Sequence, residues 1–163
     1  MTGESTVLAF VEVPSGCQNK YEYDPELGGL RLDRVLYSPM HYPGEYGFIP
    51  ETLAADGDPL DILVLSTAPT FPGCRVPARI VGVLDMADDK GEDTKILAVV
   101  DVDPRFAHVR EIDDVPPHVK REIEHFFRVY KDLEGKTAEI RGWRGRQAAL
   151  EEVAAARRAY AGR

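Results

Sequence analysis

The sequence predicts an α+β fold, mainly β, in which a twisted, barrel-like sheet comes first and two helices follow. Three observations carry this expectation. Short apolar or alternating runs recur between turn residues up to Val102. Two helical patterns close the chain, over 116–133 and 146–160. No internal repeat, low-complexity segment or composition break divides the 163 residues, which are expected to form one domain spanning 1–163.

The elements follow in order. Val7–Pro14 is an apolar run interrupted by Glu12, an acid that belongs either on the solvent face of an edge strand or inside a site. Asn19–Asp24 alternates charged and aromatic residues, which puts Lys20 and Glu22 on one strand face and Tyr21 and Tyr23 on the other. A turn over Pro25–Gly29 leads into Leu30–Leu36, where Leu30, Leu32 and Arg34 share a face. Lys20, Glu22 and Arg34 then line one surface of a two-stranded ribbon. Tyr37–Pro50 is rich in proline, glycine and tyrosine, which predicts an ordered loop packed on the core, presenting Tyr42 and Tyr46. Ile62–Leu65 reads as a buried strand, Pro69–Pro77 as a turn-rich connection, and Ala78–Met86 with Thr94–Val102 as a hairpin of core strands. Asp113–Pro116 is the predicted start of the first helix, whose stripe runs Val119, Ile123, Phe126, Phe127, Tyr130, Leu133. Thr137–Trp143 is a last strand. Ala149, Val153, Ala156 and Tyr160 form the stripe of the second helix.

Composition excludes several classes. Hydrophobic residues at 44% and charged residues at 29% are globular values. A net charge of −8 argues against a nucleic-acid binder that works by bulk electrostatics. Cys17 and Cys74 are the only cysteines, so a disulfide framework is not expected. No apolar run reaches membrane-spanning length, and Met1–Ser5 lacks a basic leader region; a cytoplasmic protein is expected.

The chemistry concentrates in Asp56-Gly57-Asp58-Pro59-Leu60-Asp61-Ile62. Three carboxylates fall on a turn that feeds a strand, so their repulsion must be relieved by protons or a cation. Hard oxygen donors on constrained backbone suit magnesium or manganese. A second acidic loop, Asp88-Asp89-Lys90-Gly91-Glu92-Asp93, also sits between strands, with Lys95 just beyond. It is not an EF-hand: placing Gly91 at the sixth position puts Met86 first and Leu97 twelfth, where oxygen ligands are required. Acids that hold metals beside Lys20, Arg34, Lys95 and Lys131 make a kit for metal-assisted phosphoryl transfer. A pair of solvated acidic turns explains the same composition, and spacing alone leaves both readings standing.

The stretch Asp56–Ile62 resembles the signature of the soluble family I inorganic pyrophosphatases, Asp-x-Asp-Pro-apolar-Asp. The similarity continues in order through Lys20-Tyr21-Glu22, Asp33-Arg34, Tyr42-Pro43 with Tyr46-Gly47, Asp88–Lys95, and Phe126-Phe127 to Tyr130–Glu134. The resemblance implies a small closed barrel of the oligonucleotide-binding type flanked by helices, and hydrolysis of pyrophosphate to two orthophosphates by a metal-activated water. It implies Mg²⁺ as cofactor, several ions per site, with Mn²⁺ or Zn²⁺ as substitutes. Asp56, Asp61 and Asp93 are implied as ligands of the tightest metal position, Asp61 being shared, and Asp88, Asp93 and Glu22 as further metal or water ligands. Asp58 is implied as the general base. Lys20, Arg34, Lys95, Tyr130 and Lys131 are implied as phosphate binders, Tyr46 as a hydroxyl near the nucleophile, Tyr42 as its aromatic support. Glu12 matches an acid bordering the site. Asp89 departs from the glutamate of many relatives, Glu92 is expected in an exposed loop, and His41 and His125 match no catalytic role. A homohexamer with neither nucleic acid nor membrane as partner is implied. The rival readings are the same apparatus acting on a nucleotide or other polyphosphate, and a barrel that binds single strands or stores metal.

Overall fold

The structure, a computed structural model, describes residues 5–163; Met1–Glu4, most of the stretch read for a leader, lies outside the described residues. Nine strands and two α-helices run in the order β1 (Thr6–Val13), β2 (Asn19–Asp24), β3 (Gly29–Val35), β4 (Glu45–Ile49), β5 (Leu60–Leu65), β6 (Arg75–Asp88), β7 (Gly91–Glu92), β8 (Lys95–Val100), α1 (Pro117–Val129), β9 (Ala138–Gly145) and α2 (Arg146–Ala161). The main sheet runs β1-β4-β5-β8-β6, and β6 pairs back onto β1, so these strands close into a ring. Closure depends on the length of β6: its start pairs with β1, its middle with β8 and its end with β9. A closed ring has no exposed edge, which is how small β-proteins avoid strand-to-strand aggregation. The result is the mainly-β, barrel-like α+β architecture with two helices that the sequence predicts.

The barrel strands read as continuous apolar runs because both of their faces are covered. Leu60, Ile62 and Val64 of β5 join a cluster with Ala149, Val153 and Ala156 of α2. Leu63 points the other way, into a cluster with Ile123, Phe126 and Phe127 of α1. The same alternation splits Ile96 and Ala98 from Leu97 and Val99 on β8. The alanine stripe of α2 lets that helix lie close, and Leu53 N–H donates to the Ala156 carbonyl at 2.9 Å, tying the approach to the first acidic loop onto α2.

Five local expectations are corrected. The second half of the predicted loop 37–50 is strand β4, whose register pairs it with β1 and β5; its tyrosine and glycine content hid a buried strand. β6 begins at Arg75, so Pro77 lies within a strand, opposite Leu8, and not in a connection. α1 ends at Val129; the chain then turns, through Asp132–Glu134, and Leu133 is 67% exposed, outside the stripe. Asp114 caps the preceding 3₁₀ turn, accepting from Glu111 N–H at 3.0 Å, and leaves Pro116 to start the helix. Finally, a bulge in the β2–β3 ribbon breaks the expected common face: Arg34 pairs with Lys20, whereas Leu32 pairs with Tyr21 and is half exposed. One extra residue, Asp33, shifts the alternation at that point.

Candidate active site

The site is assembled by one strand pairing. β5 and β8 run parallel in a register that sets Asp61 beside Lys95. Lys95 Nζ donates to Asp61 Oδ2 at 2.7 Å and to the Tyr46 hydroxyl at 2.7 Å, and lies 3.1 Å from Asp93 Oδ1. Its side chain is only 5% exposed. Burial alone would depress its ammonium, but Asp61 above all, with Tyr46 and Asp93, holds it well above the ordinary lysine range. The ammonium also stands over the rings of Tyr46 and Phe127, 5.3 Å and 5.4 Å from their centroids.

The acids reach this point from two tight loops. In the first, Thr52 Oγ1 accepts from Leu60 N–H at 2.9 Å and donates to the Ile49 carbonyl, closing the base of the loop. Asp58 N–H donates to Asp56 Oδ1 at 3.0 Å, and Gly57 takes a left-handed φ of 88° that a side chain would resist. In the second, Lys90 N–H donates to Asp88 Oδ1 at 2.9 Å and Asp93 N–H to the Met86 carbonyl at 2.8 Å. The loops are near enough for their charges to interact. Partial burial raises the Asp58 carboxyl above its ordinary range, and Asp56, Asp61 and Glu22 push it further. Among the described residues no three His, Cys, Asp or Glu side chains form a ready cage for a metal ion. The donors nonetheless fit a hard cation in their chemistry: all are carboxylates, they repel one another across shared space, and Lys95 is the cation that now sits between two of them. A cleft of about 300 Å³ reaches Asp56, Asp61 and Asp93 from the α2 side, floored by Leu60 and Ala156.

Basic side chains from the ribbon and from the turn after α1 border the same region. Lys20 and Arg34 face each other across the ribbon, and Lys20 Nζ lies 3.4 Å from Glu22 Oε2. Burial depresses the Lys131 ammonium, and the positive charges of Arg34 and Lys95 depress it further. Tyr130, stacked on Phe126 at 4.9 Å, is pushed up to about 12 by burial. Tyr42 is fully buried and stacks on Tyr46 at 5.3 Å. The predicted residues Lys20, Glu22, Arg34, Tyr46, Asp56, Asp58, Asp61, Asp93, Lys95, Tyr130 and Lys131 are thus linked by contact or by mutual charge effects. Asp88 sits at the end of β6, its negative charge felt at Asp93 and Lys131. Asp89 is exposed, and Glu92 is exposed and paired with Arg141. His41 and His125 line a separate groove with His118 and Phe126.

Two acids gain a definite place only in three dimensions. Glu45, fully buried beside Tyr46, accepts from Ser15 N–H and from the Thr70 N–H and hydroxyl, which no sequence pattern announces. Glu12 points inward, accepting from Tyr23 N–H at 2.8 Å, and pins the ribbon to the barrel. Burial raises its carboxyl to about 7; the Tyr23 bond and Lys20 oppose this, and Asp61 and Glu22 add to it. Its folded value exceeds the unfolded 4.5, so Glu12 favours folding while protonated and loses that contribution as pH rises toward 7. With chelator present, Glu12→Gln should gain on the parent by roughly 3 kcal/mol as pH rises through that window. Urea midpoints at several pH values check this; a constant gap between the two proteins would mean that Glu12 titrates as an ordinary carboxylate.

A closed barrel that gathers the carboxylates of two tight loops together with lysines and an arginine, Lys95 lying between Asp61 and Asp93, defines a class: a mainly-β barrel protein with a densely charged site. A model of the inorganic pyrophosphatase family matches residues 9–161. The chain belongs to the inorganic pyrophosphatase family. It is 58% identical over 147 residues to the inorganic pyrophosphatase of Geobacillus stearothermophilus, covering 90% of this chain and 89% of that one. It is 49% identical to that of Methanosarcina acetivorans, covering 98% and 95%. The crystal structure of inorganic pyrophosphatase from Thermus thermophilus superposes with a TM-score of 0.95 at 55% identity, over 97% of this chain and 92% of that one. Among the described residues no helix is long and apolar enough to cross a membrane.

Proposed function

We propose that this chain hydrolyses pyrophosphate to two orthophosphates by direct attack of water, with Mg²⁺ as the working cation. One observation carries the reading: within one site carboxylates crowd Asp58 and cations crowd Lys131. Burial and then the carboxylates of Asp56, Asp61 and Glu22 raise Asp58, and burial and then the cations of Arg34 and Lys95 lower Lys131. A divalent cation relieves the first crowding and a polyanion the second, so a metal–pyrophosphate complex is the ligand that satisfies both. Such a cation, when bound, neutralises substrate charge and makes a neighbouring water more acidic. Asp56, Asp61, Asp88, Asp93 and Glu22 would hold it.

The chain's own groups do the rest. Asp58, on an exposed turn and raised above the usual carboxylate range, is the base that takes the proton of the attacking water. Lys20, Arg34, Lys95, Tyr130 and Lys131 bind phosphate oxygens and stabilise charge on the leaving group. Tyr46, donor-bonded by Lys95, keeps its hydroxyl proton, since burial holds it well above the ordinary phenol range. Tyr42 braces that ring from behind. The chain acts as a single domain, in the cytoplasm, and assembles as a homohexamer through surfaces that include the outer face of α1.

Phosphate release from pyrophosphate, measured with Mg²⁺, with Mn²⁺ or Zn²⁺, and with excess chelator, tests this, with ATP as parallel substrate. Metal-dependent release from pyrophosphate and little from ATP is expected. Equal release from ATP would move the reading to general polyphosphates, and no release with any divalent cation would overturn it.

A further inference from the structure

We propose that Glu134 is a positioning residue for Arg34, fixing the guanidinium that meets the substrate phosphate. The inference rests on the phosphate-binding role proposed above for Arg34. Arg34 Nε and Glu134 Oε2 are both buried, and neither has a hydrogen-bond partner among the described residues. They face each other at 3.7 Å, and the Glu134 side chain is only 7% exposed. That separation is too long for a hydrogen bond and too short for a water to stand between them. Two buried polar atoms of opposite charge, 3.7 Å apart and each without a hydrogen bond, form a contact that a shift of under about 1 Å completes.

The rest of the guanidinium supports the assignment. Arg34 Nη1 lies 3.4 Å from Asp33 Oδ2, so two carboxylates hold two of its three nitrogens. The Arg34 side chain stays 24% exposed, which leaves part of the guanidinium open to an incoming oxygen. Glu134 is carried on anchored backbone. It ends the 3₁₀ turn Asp132–Glu134, with Glu134 N–H donating to the Lys131 carbonyl at 3.0 Å and Gly135 at a φ of 76° closing the turn. The contact also has a mechanical place. At its far end the ribbon is pinned to the barrel by the Glu12–Tyr23 bond and by the edge-on Phe10–Tyr23 pair. At the Arg34 end, Glu134 joins the ribbon to the turn that carries Tyr130 and Lys131. Two groups of phosphate binders, one on the ribbon and one after α1, are thereby held at a fixed spacing.

The test is a double-mutant cycle read by kcat and KM for pyrophosphate at saturating Mg²⁺. Glu134→Ala is expected to raise KM about tenfold, the range for a lost charge-assisted hydrogen bond, while kcat falls less than about threefold. In an Arg34→Lys background the same change should cost nothing further, because lysine has no Nε to orient. In a Lys131→Ala background it should cost its full factor. An equal loss in the wild-type and Arg34→Lys backgrounds would overturn the proposal, as would an unchanged KM in Glu134→Ala. If Glu134→Ala does not fold, the isosteric Glu134→Gln runs the same cycle with an expected rise of about threefold in KM. Failure of both variants to fold would make Glu134 a structural residue and also overturn it. The parent protein separates the two layers: no pyrophosphate hydrolysis there removes the functional reading, whereas hydrolysis with additive losses removes only the role of Glu134.

Discussion

Asp61→Ala is expected to lower pyrophosphate turnover by at least about a thousandfold while the chain still folds. The size of the effect follows from how many groups depend on this one carboxylate. It accepts from Lys95 at 2.7 Å, and its charge is felt at Asp58, Asp93, Glu12 and Tyr46. In the role proposed for it, removing Asp61 takes away a carboxylate that would hold the cation and lets Lys95 swing toward Asp93. Folding survives because Lys95 keeps Asp93 at 3.1 Å and the Tyr46 hydroxyl at 2.7 Å, so its buried charge is not left alone. Asp61→Asn keeps the shape and one acceptor, and should lose nearly as much turnover with a smaller change in stability. Steady-state kinetics and circular dichroism on both variants decide the matter. Near-normal phosphate release from either one would mean that Asp61 is not an essential metal ligand.

Gly47→Ala is expected to cost at least about 3 kcal/mol of folding stability, the largest effect of a glycine-to-alanine change among the described residues. A Cβ at Gly47 would lie 1.8 Å from the Phe10 carbonyl oxygen and 3.0 Å from Glu12 N. Both obstacles are backbone and neither can rotate away. Gly47 pairs with Val11 where β1 carries a bulge, so the strands come closer at this point than a side chain allows. To admit the methyl group, β1 must part from β4, which displaces Tyr46 on one side and Glu12 on the other. Gly57→Ala is the comparison: its φ of 88° disfavours a side chain, but the space around it is open. That variant should lose only about 1 kcal/mol. Urea unfolding midpoints rank the two; equal midpoints would mean that the β1–β4 contact yields more easily than its geometry implies.

Asp61 and Gly47 fall on different sides of what a sequence can say. Asp61 announces itself by neighbours: three acids around a turn, followed by four apolar residues, are visible in one dimension. Gly47 does not, because the atom it avoids belongs to Phe10, far away along the chain. The same division runs through the fold. The apolar runs of β1, β5, β6 and β8 and the stripes of α1 and α2 are legible, since burial leaves a periodic trace wherever an element has a dry face. β4 is not: it is buried on both faces and begins Glu45-Tyr46-Gly47, residues that read as loop until their partners are known. The bulge at Asp33 and the end of α1 at Val129 are hidden for a related reason, being set by what the chain must reach next.

By itself, then, the sequence determined the two acidic turns and the strands and helices beside them, because charge and apolar periodicity are properties of neighbours along the chain. Only the tertiary structure decided how the groups meet. The parallel register that sets Asp61 against Lys95, the inward turn of Glu12, and the unfinished contact between Glu134 and Arg34 all join residues from separate elements. Their spacing is fixed when β6 closes the ring onto β1 and β8, a long-range event whose energy is spread over the whole barrel and leaves no local mark.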